Sequence, residues 1–192
     1  MKRAIPVLLM VALLFGASTV SGELIGDAVA TVLVTVDPNV TVNVISSVVD
    51  AGTVQTGDFE ATIVFRIDAN QQQLNIQIEA TPLYKGNDPL EETVDPIPLA
   101  NLPATISPTD AAPMNGLSND VPLNISTGSI DGFPSQLSAP LRFESSQNNH
   151  FSQDVYVTVR YVQVDPEQPV GEYGGRVRII VILDGYTGTT PP

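Results

Sequence analysis

Along most of the chain, apolar and polar residues alternate one by one, and many of the apolar ones are β-branched. In Leu74-Asn75-Ile76-Gln77-Ile78-Glu79-Ala80 every even position is apolar and every odd position polar. Ile63, Phe65 and Ile67 oppose Arg66 and Asp68, and Val155, Val157, Val159 and Tyr161 oppose Thr158 and Arg160. Val121, Leu123 and Ile125 alternate with Pro122, Asn124 and Ser126. A period of two sends successive side chains to opposite faces of a strand, so each segment buries one face and wets the other. Antiparallel sheets packed on one side have this pattern. Turn clusters separate the segments, among them Asp37-Pro38-Asn39, Thr56-Gly57-Asp58, Lys85-Gly86-Asn87-Asp88-Pro89 and Asp165-Pro166-Glu167. There glycine supplies positive φ and proline withholds a ladder N–H. The Pro-rich stretch from Tyr84 to Pro122 reads as a crossover between sheets with one short strand near Ala104 to Ser107. No segment has helical periodicity. The expectation is an all-β, immunoglobulin-like Greek-key sandwich of about 7–8 antiparallel strands.

The two ends depart from simple alternation. Lys2 and Arg3 precede an apolar run from Ile5 to Phe15, and Ala17, Ser18, Ser21 and Gly22 follow. This is the order of a secretion signal, and the run falls short of the roughly 20 apolar residues of a membrane span. Residues 1–22 are therefore read as a signal peptide cleaved after Gly22, with Ala17 as a second candidate site, leaving no integral membrane segment. Residues 23–38 follow as an N-terminal strand, 39–183 as the sandwich and 184–192 as a loose tail rich in Gly, Thr and Pro.

In the N-terminal strand Ala28, Ala30, Val32, Val34 and Val36 share one parity, and Val40, Val42 and Val44 continue it past Pro38. The strand either pairs within its own sandwich or is donated to a neighbouring copy. Local pairing of consecutive strands favours the first reading. The closing segment bears on the choice, because after Arg178 both parities are apolar: Val177, Ile179 and Val181 on one, Ile180 and Ile182 on the other. Such a strand is expected to be covered on both faces, since a long bare apolar edge invites aggregation.

Composition narrows the function. Hydrophobic residues make up 43% of the 192 and charged residues 15%, which describes a folding chain and not an acidic disordered tail. Loss of residues 1–22 leaves 6 basic residues against 21 acidic ones, a net charge of −15. Such a surface repels phosphate backbones and anionic lipids, so nucleic acid is not an expected partner. There is no cysteine, which removes disulfides and thiol chemistry. The lone histidine, His150, sits in a polar run without a nucleophile elbow, and no catalytic residue or cofactor is assigned. Asp88, Glu91, Glu92 and Asp95 crowd one loop and are the weak candidates for a calcium site, with simple solvation as the default.

Gly171-Glu172-Tyr173-Gly174-Gly175-Arg176-Val177-Arg178-Ile179 resembles the closing strand of bacterial pilus subunits assembled by donor-strand exchange, the spore coat U-like and chaperone–usher-like pilins. Ala51-Gly52-Thr53-Val54-Gln55-Thr56-Gly57 is similar to the segment near the start of such domains. The resemblance covers both ends and not the middle, and it lacks the disulfide that chaperone–usher subunits commonly carry. It implies an incomplete sandwich on a cell surface, with Ala30, Val32, Val34 and Val36 as donor strand. Val177, Ile179, Ile180, Val181 and Ile182 would edge the acceptor groove. It also implies a homopolymer and an assembly chaperone, though a tail after Leu183 does not suit a chaperone that grips the terminal carboxylate. The alternative is a monomeric secreted or periplasmic binding module that uses the Pro-rich loop.

Overall fold

A computed structural model describes residues 36–46, 48–90, 93–124 and 126–183. The signal segment, Ala30, Val32, Val34, Glu91, Glu92, Ile125 and the tail from 184 lie outside the described residues. The described chain is all-β. Its strands are β1 (Val40–Val44), β2 (Gly57–Ala69), β3 (Gln73–Ala80), β4 (Tyr84–Lys85), β5 (Ala104–Pro108), β6 (Ala111–Pro113), β7 (Asp120–Val121), β8 (Ser126–Ile130), β9 (Phe133–Leu137), β10 (Leu141–Ser145), β11 (Phe151–Gln163), β12 (Tyr173–Gly174) and β13 (Val177–Leu183). One 3₁₀ turn, Met114–Gly116, interrupts them.

Two antiparallel sheets carry the core. The first runs β1-β2-β11-β5-β7, and the second runs β6-β10-β3-β9-β8 with β13 added to β3. β10 pairs with β3 at residues 73–76 and β9 at 79–80, while β13 pairs along 74–80. Because these stretches overlap, β13 must occupy the opposite side of β3 from β9 and β10. The short connections from β2 to β3 and from β10 to β11 place β2 over β3 and β11 over β10. As a result β1 and β13 lie on the same lateral side of the sandwich.

The alternating segments supply the core as their pattern requires. Ile67, Leu74, Ile76, Ile78, Ile106, Phe143, Val155, Val157 and Val159 are wholly buried. Their neighbours of opposite parity face water or pair with one another. The expected strand from Val121 to Ser126 is divided between β7 and β8, and Pro122, which has no N–H for a ladder, follows the last residue of β7. The crossover region holds the short strand expected near Ala104 and also β4, β6 and β7. The hairpin of β8 and β9 was not expected. Its turn residues Asp131 and Gly132 both have left-handed backbones, φ 51° and 86°, as a two-residue hairpin loop demands.

On the outer face of the first sheet, Arg66 reaches Asp68 (Nε to Oδ1, 3.1 Å), Ser152 (Nη2 to Oγ, 2.8 Å) and Asp154 (Nη1 to Oδ1, 3.4 Å). The Ser152 hydroxyl also donates to Asp68. That hydroxyl, and then the guanidinium, hold the Asp68 carboxyl below its usual 3.8. A depressed folded-state pKa contributes stability that is present above the unfolded value and lost as pH falls through the folded one. Asp68→Asn should therefore weaken the fold at pH 7 and flatten its loss of stability below about pH 4. Urea unfolding of both proteins at neutral and acid pH checks this, and parallel acid limbs would contradict it.

Candidate functional site

Among the described residues, the lateral side shared by β1 and β13 is the least covered part of the sandwich. β11 pairs with β2 along its full length, but β1 pairs only with Phe65–Ala69. One further bond, from Ile45 N–H to Val64 O at 2.9 Å, ends the contact among the described residues. Antiparallel alternation then turns the backbone groups of Asp58, Glu60 and Thr62 toward the open side. Their neighbours Phe59, Ala61 and Ile63 point inward and are only half-buried.

β1 shows the same deficit in its side chains. Val42 pairs with Ile67 and Val44 with Phe65, so both valines face inward with those partners. Ile67 is 0% exposed and Phe65 6%, yet Val42 is 37% exposed and Val44 49%. Among the described residues these two inward-facing valines are left partly open to water.

On the other sheet, β13 presents the matching edge. Val177, Ile179 and Val181 pair with Ala80, Ile78 and Ile76 and face inward, with Leu183 behind them. Ile179 is buried, and Val177, Val181 and Leu183 are half-buried. Thr81 N–H donates to Arg176 O (3.0 Å), and Arg176 N–H donates to the Thr81 hydroxyl (2.8 Å). This pairing directs the backbone groups of Arg178, Ile180 and Ile182 to β3 and those of Val177, Ile179, Val181 and Leu183 outward. Among the described residues nothing pairs with that outer edge. The five residues expected at a groove edge thus separate. Val177, Ile179 and Val181 face the gap, and Ile180 and Ile182 face the outer side, where Ile182 is 43% exposed. Coverage of both faces, expected from the sequence, is not found among the described residues.

The chain enters this edge at a pinned corner. Asn70, at the end of β2, donates from Nδ2 to Asp37 O (2.9 Å) and accepts Asn39 N–H at Oδ1 (2.7 Å). Val36, next upstream and 76% exposed, is the one expected donor-strand residue among those described.

Behind β13 lies a buried carboxylate. Glu79 on β3 is 1% exposed at its side chain and is held by Arg178 of β13 (Nε to Oε2, 2.8 Å) and by the Ser135 hydroxyl of β9. Gly128 of β8 closes over it, and a Cβ there would stand 2.5 Å from Glu79 Oε1 and 2.7 Å from Leu137 Cδ1. The alternating pattern made Glu79 an ordinary outward residue, because the hairpin that covers it was not legible.

The other candidates have less to offer. Asp88 Oδ1 accepts Leu90 N–H at 2.9 Å, and the Asp95 carbonyl accepts from Gln168. Among the described residues no three metal-capable side chains come together. The exposed His150 contacts only the Asn148 carbonyl among the hydrogen bonds described, at 2.9 Å. No helix among the described residues is long and apolar enough to cross a membrane. Comparison with known proteins finds no matching family model, no matching curated sequence and no matching solved structure. What the fold defines is an all-β protein of two facing antiparallel sheets, and among the described residues nothing pairs with the outer edge of β13.

Three substitutions test this description. Val44→Asp should cost the isolated chain less than about 1 kcal/mol, as an exposed position would. Ile67→Asp, one strand inward, should prevent folding, because it buries an unpaired carboxylate. Gly128→Ala should destabilise by about 1–3 kcal/mol through overpacking against Glu79 and Leu137. Chemical denaturation measures all three, and equal losses at Val44 and Ile67 would show the edge to be closed.

Proposed function

We propose that the chain is an exported structural subunit of a cell-surface filament, and that copies join by strand addition. The N-terminal strand of one copy, with Ala30, Val32, Val34 and Val36 on its apolar face, lies along β13 of the next. The observation that carries this reading is the exposure of Val42 and Val44, which point inward and yet stay partly open to water among the described residues. A strand with small apolar residues at alternate positions fills that gap, and its backbone satisfies the outward groups of β13. The corner at Asp37–Asn39 delivers the upstream chain at the end of the sandwich where β13 finishes. A neighbour stacked beyond that end in the same orientation receives the strand antiparallel to its own β13. Antiparallel pairing is slightly the more stable arrangement. An assembly chaperone would cover the same edge before polymerisation, when it is most prone to aggregate. Export is supported by the order of charged, apolar and small residues in 1–22.

The reading is tested by complementation. Val34→Asp damages the donor strand and leaves the groove, while Val44→Asp damages the groove and leaves the donor. Each variant alone should remain monomeric by light scattering. An equal mixture should give heterodimers and nothing larger, because after one insertion only a damaged strand and a damaged groove remain. Polymers formed by either variant alone, or a mixture that stays monomeric while the parent chain polymerises, would refute strand exchange.

A further inference from the structure

Arg178 is the one polar residue between Val177 and Leu183. Without it, either face of β13 would serve as a core face: Val177, Ile179, Val181 and Leu183 on one parity, Ile180 and Ile182 on the other. Strand register is weakly specified when both faces are apolar, and a one-residue slip exchanges them. The anchors upstream, the Arg176–Thr81 bonds and the Arg176 guanidinium 4.6 Å from the centre of the Phe133 ring, fix where β13 begins. They do not prevent a bulge immediately after Arg176, which would shift every later residue by one.

The cost of such a shift falls on Glu79. In the observed register Arg178 is its direct cross-strand partner. A slip turns Arg178 toward the core and sets an apolar residue beside the carboxylate. Gly128 and Ser135 enclose Glu79 from the other side, so the stranded charge has little route to water. Arg178 is half-exposed but Glu79 is buried, so losing the arginine strands a buried carboxylate, which is far more costly than replacing both partners.

We propose that the Glu79–Arg178 pair is the register key of β13, a pair of positioning residues that decides which face of the strand meets the core. It thereby decides which backbone groups the edge offers: those of Val177, Ile179, Val181 and Leu183, and not those of Arg178, Ile180 and Ile182. The last step rests on the strand-accepting reading of this edge. The register itself does not.

The chain has no cysteine, so introduced pairs report register cleanly. Gln77→Cys with Ile180→Cys joins direct cross-strand partners on the outer face and reports the observed register. Gln77→Cys with Val181→Cys, or with Ile179→Cys, reports a one-residue slip, because Val181 and Ile179 now face the core. In the parent chain only the 77–180 disulfide should form. With Glu79→Met and Arg178→Leu together, which replace both charges by apolar groups, a slipped disulfide should rise at least tenfold at the expense of 77–180. Glu79→Gln with Arg178→Gln serves as a second background, and yields are read on the folded monomer from size exclusion. Exclusive 77–180 closure in both backgrounds would overturn the proposal. Polymerisation is followed separately by light scattering. Shifted disulfides in the two variant backgrounds, with a parent chain that never polymerises, would keep the register key and sink the filament reading, and unshifted disulfides in those backgrounds, with a parent chain that polymerises, would do the reverse.

Discussion

A sheet edge leaves half its backbone hydrogen-bonding groups unpaired, and a sandwich edge also leaves the side chains between the sheets without cover. Among the described residues both deficits meet at one side. β1 stops at Val44 although β2 continues beside it to Gly57, and β13 has β3 on one side and no described strand on the other. The half-exposed, inward-facing Val42 and Val44 are the packing consequence, and the outward backbone groups of β13 are the hydrogen-bonding one. Barrels remove such edges by closure, and many sheets blunt them with charge or bulges. Here the inner side of the edge is apolar on both sheets, as a surface that takes another strand would be.

The rest of the architecture holds that edge in place. The paired strands β2 and β11 are the longest among the described residues and form the centre of the first sheet. Their short connections to β3 and β10 align the second sheet beneath, which brings β1 and β13 to the same side. Asn70 fixes the point at which the upstream chain leaves, and the Glu79–Arg178 pair with the β8–β9 hairpin fixes β13 against β3.

The long strands were legible because strict alternation over a half-buried sheet leaves little choice. Leu74 to Ala80 lies within β3, and Val155 to Tyr161 lies within β11. The β8–β9 hairpin escaped because Ser126-Thr127-Gly128-Ser129 has no apolar parity, although Asp131-Gly132 is a hairpin turn signal. With that hairpin unseen, Glu79 read as a solvated strand residue. For the open edge the sequence supplied the parity of Val42 and Val44 and the two-faced character of β13. It could not supply what stands opposite them, because that depends on which strand lies across from them, and local pattern does not encode a distant neighbour.

The most direct measurement is negative-stain electron microscopy, with light scattering, on the chain from residue 23 onward and on a second chain beginning at Pro38. Strand exchange requires filaments or large oligomers from the longer chain and a folded monomer from the shorter one. A monodisperse monomer from the longer chain, together with an unfolded shorter one, would make residues 23–37 an internal strand of a self-contained module and contradict the account.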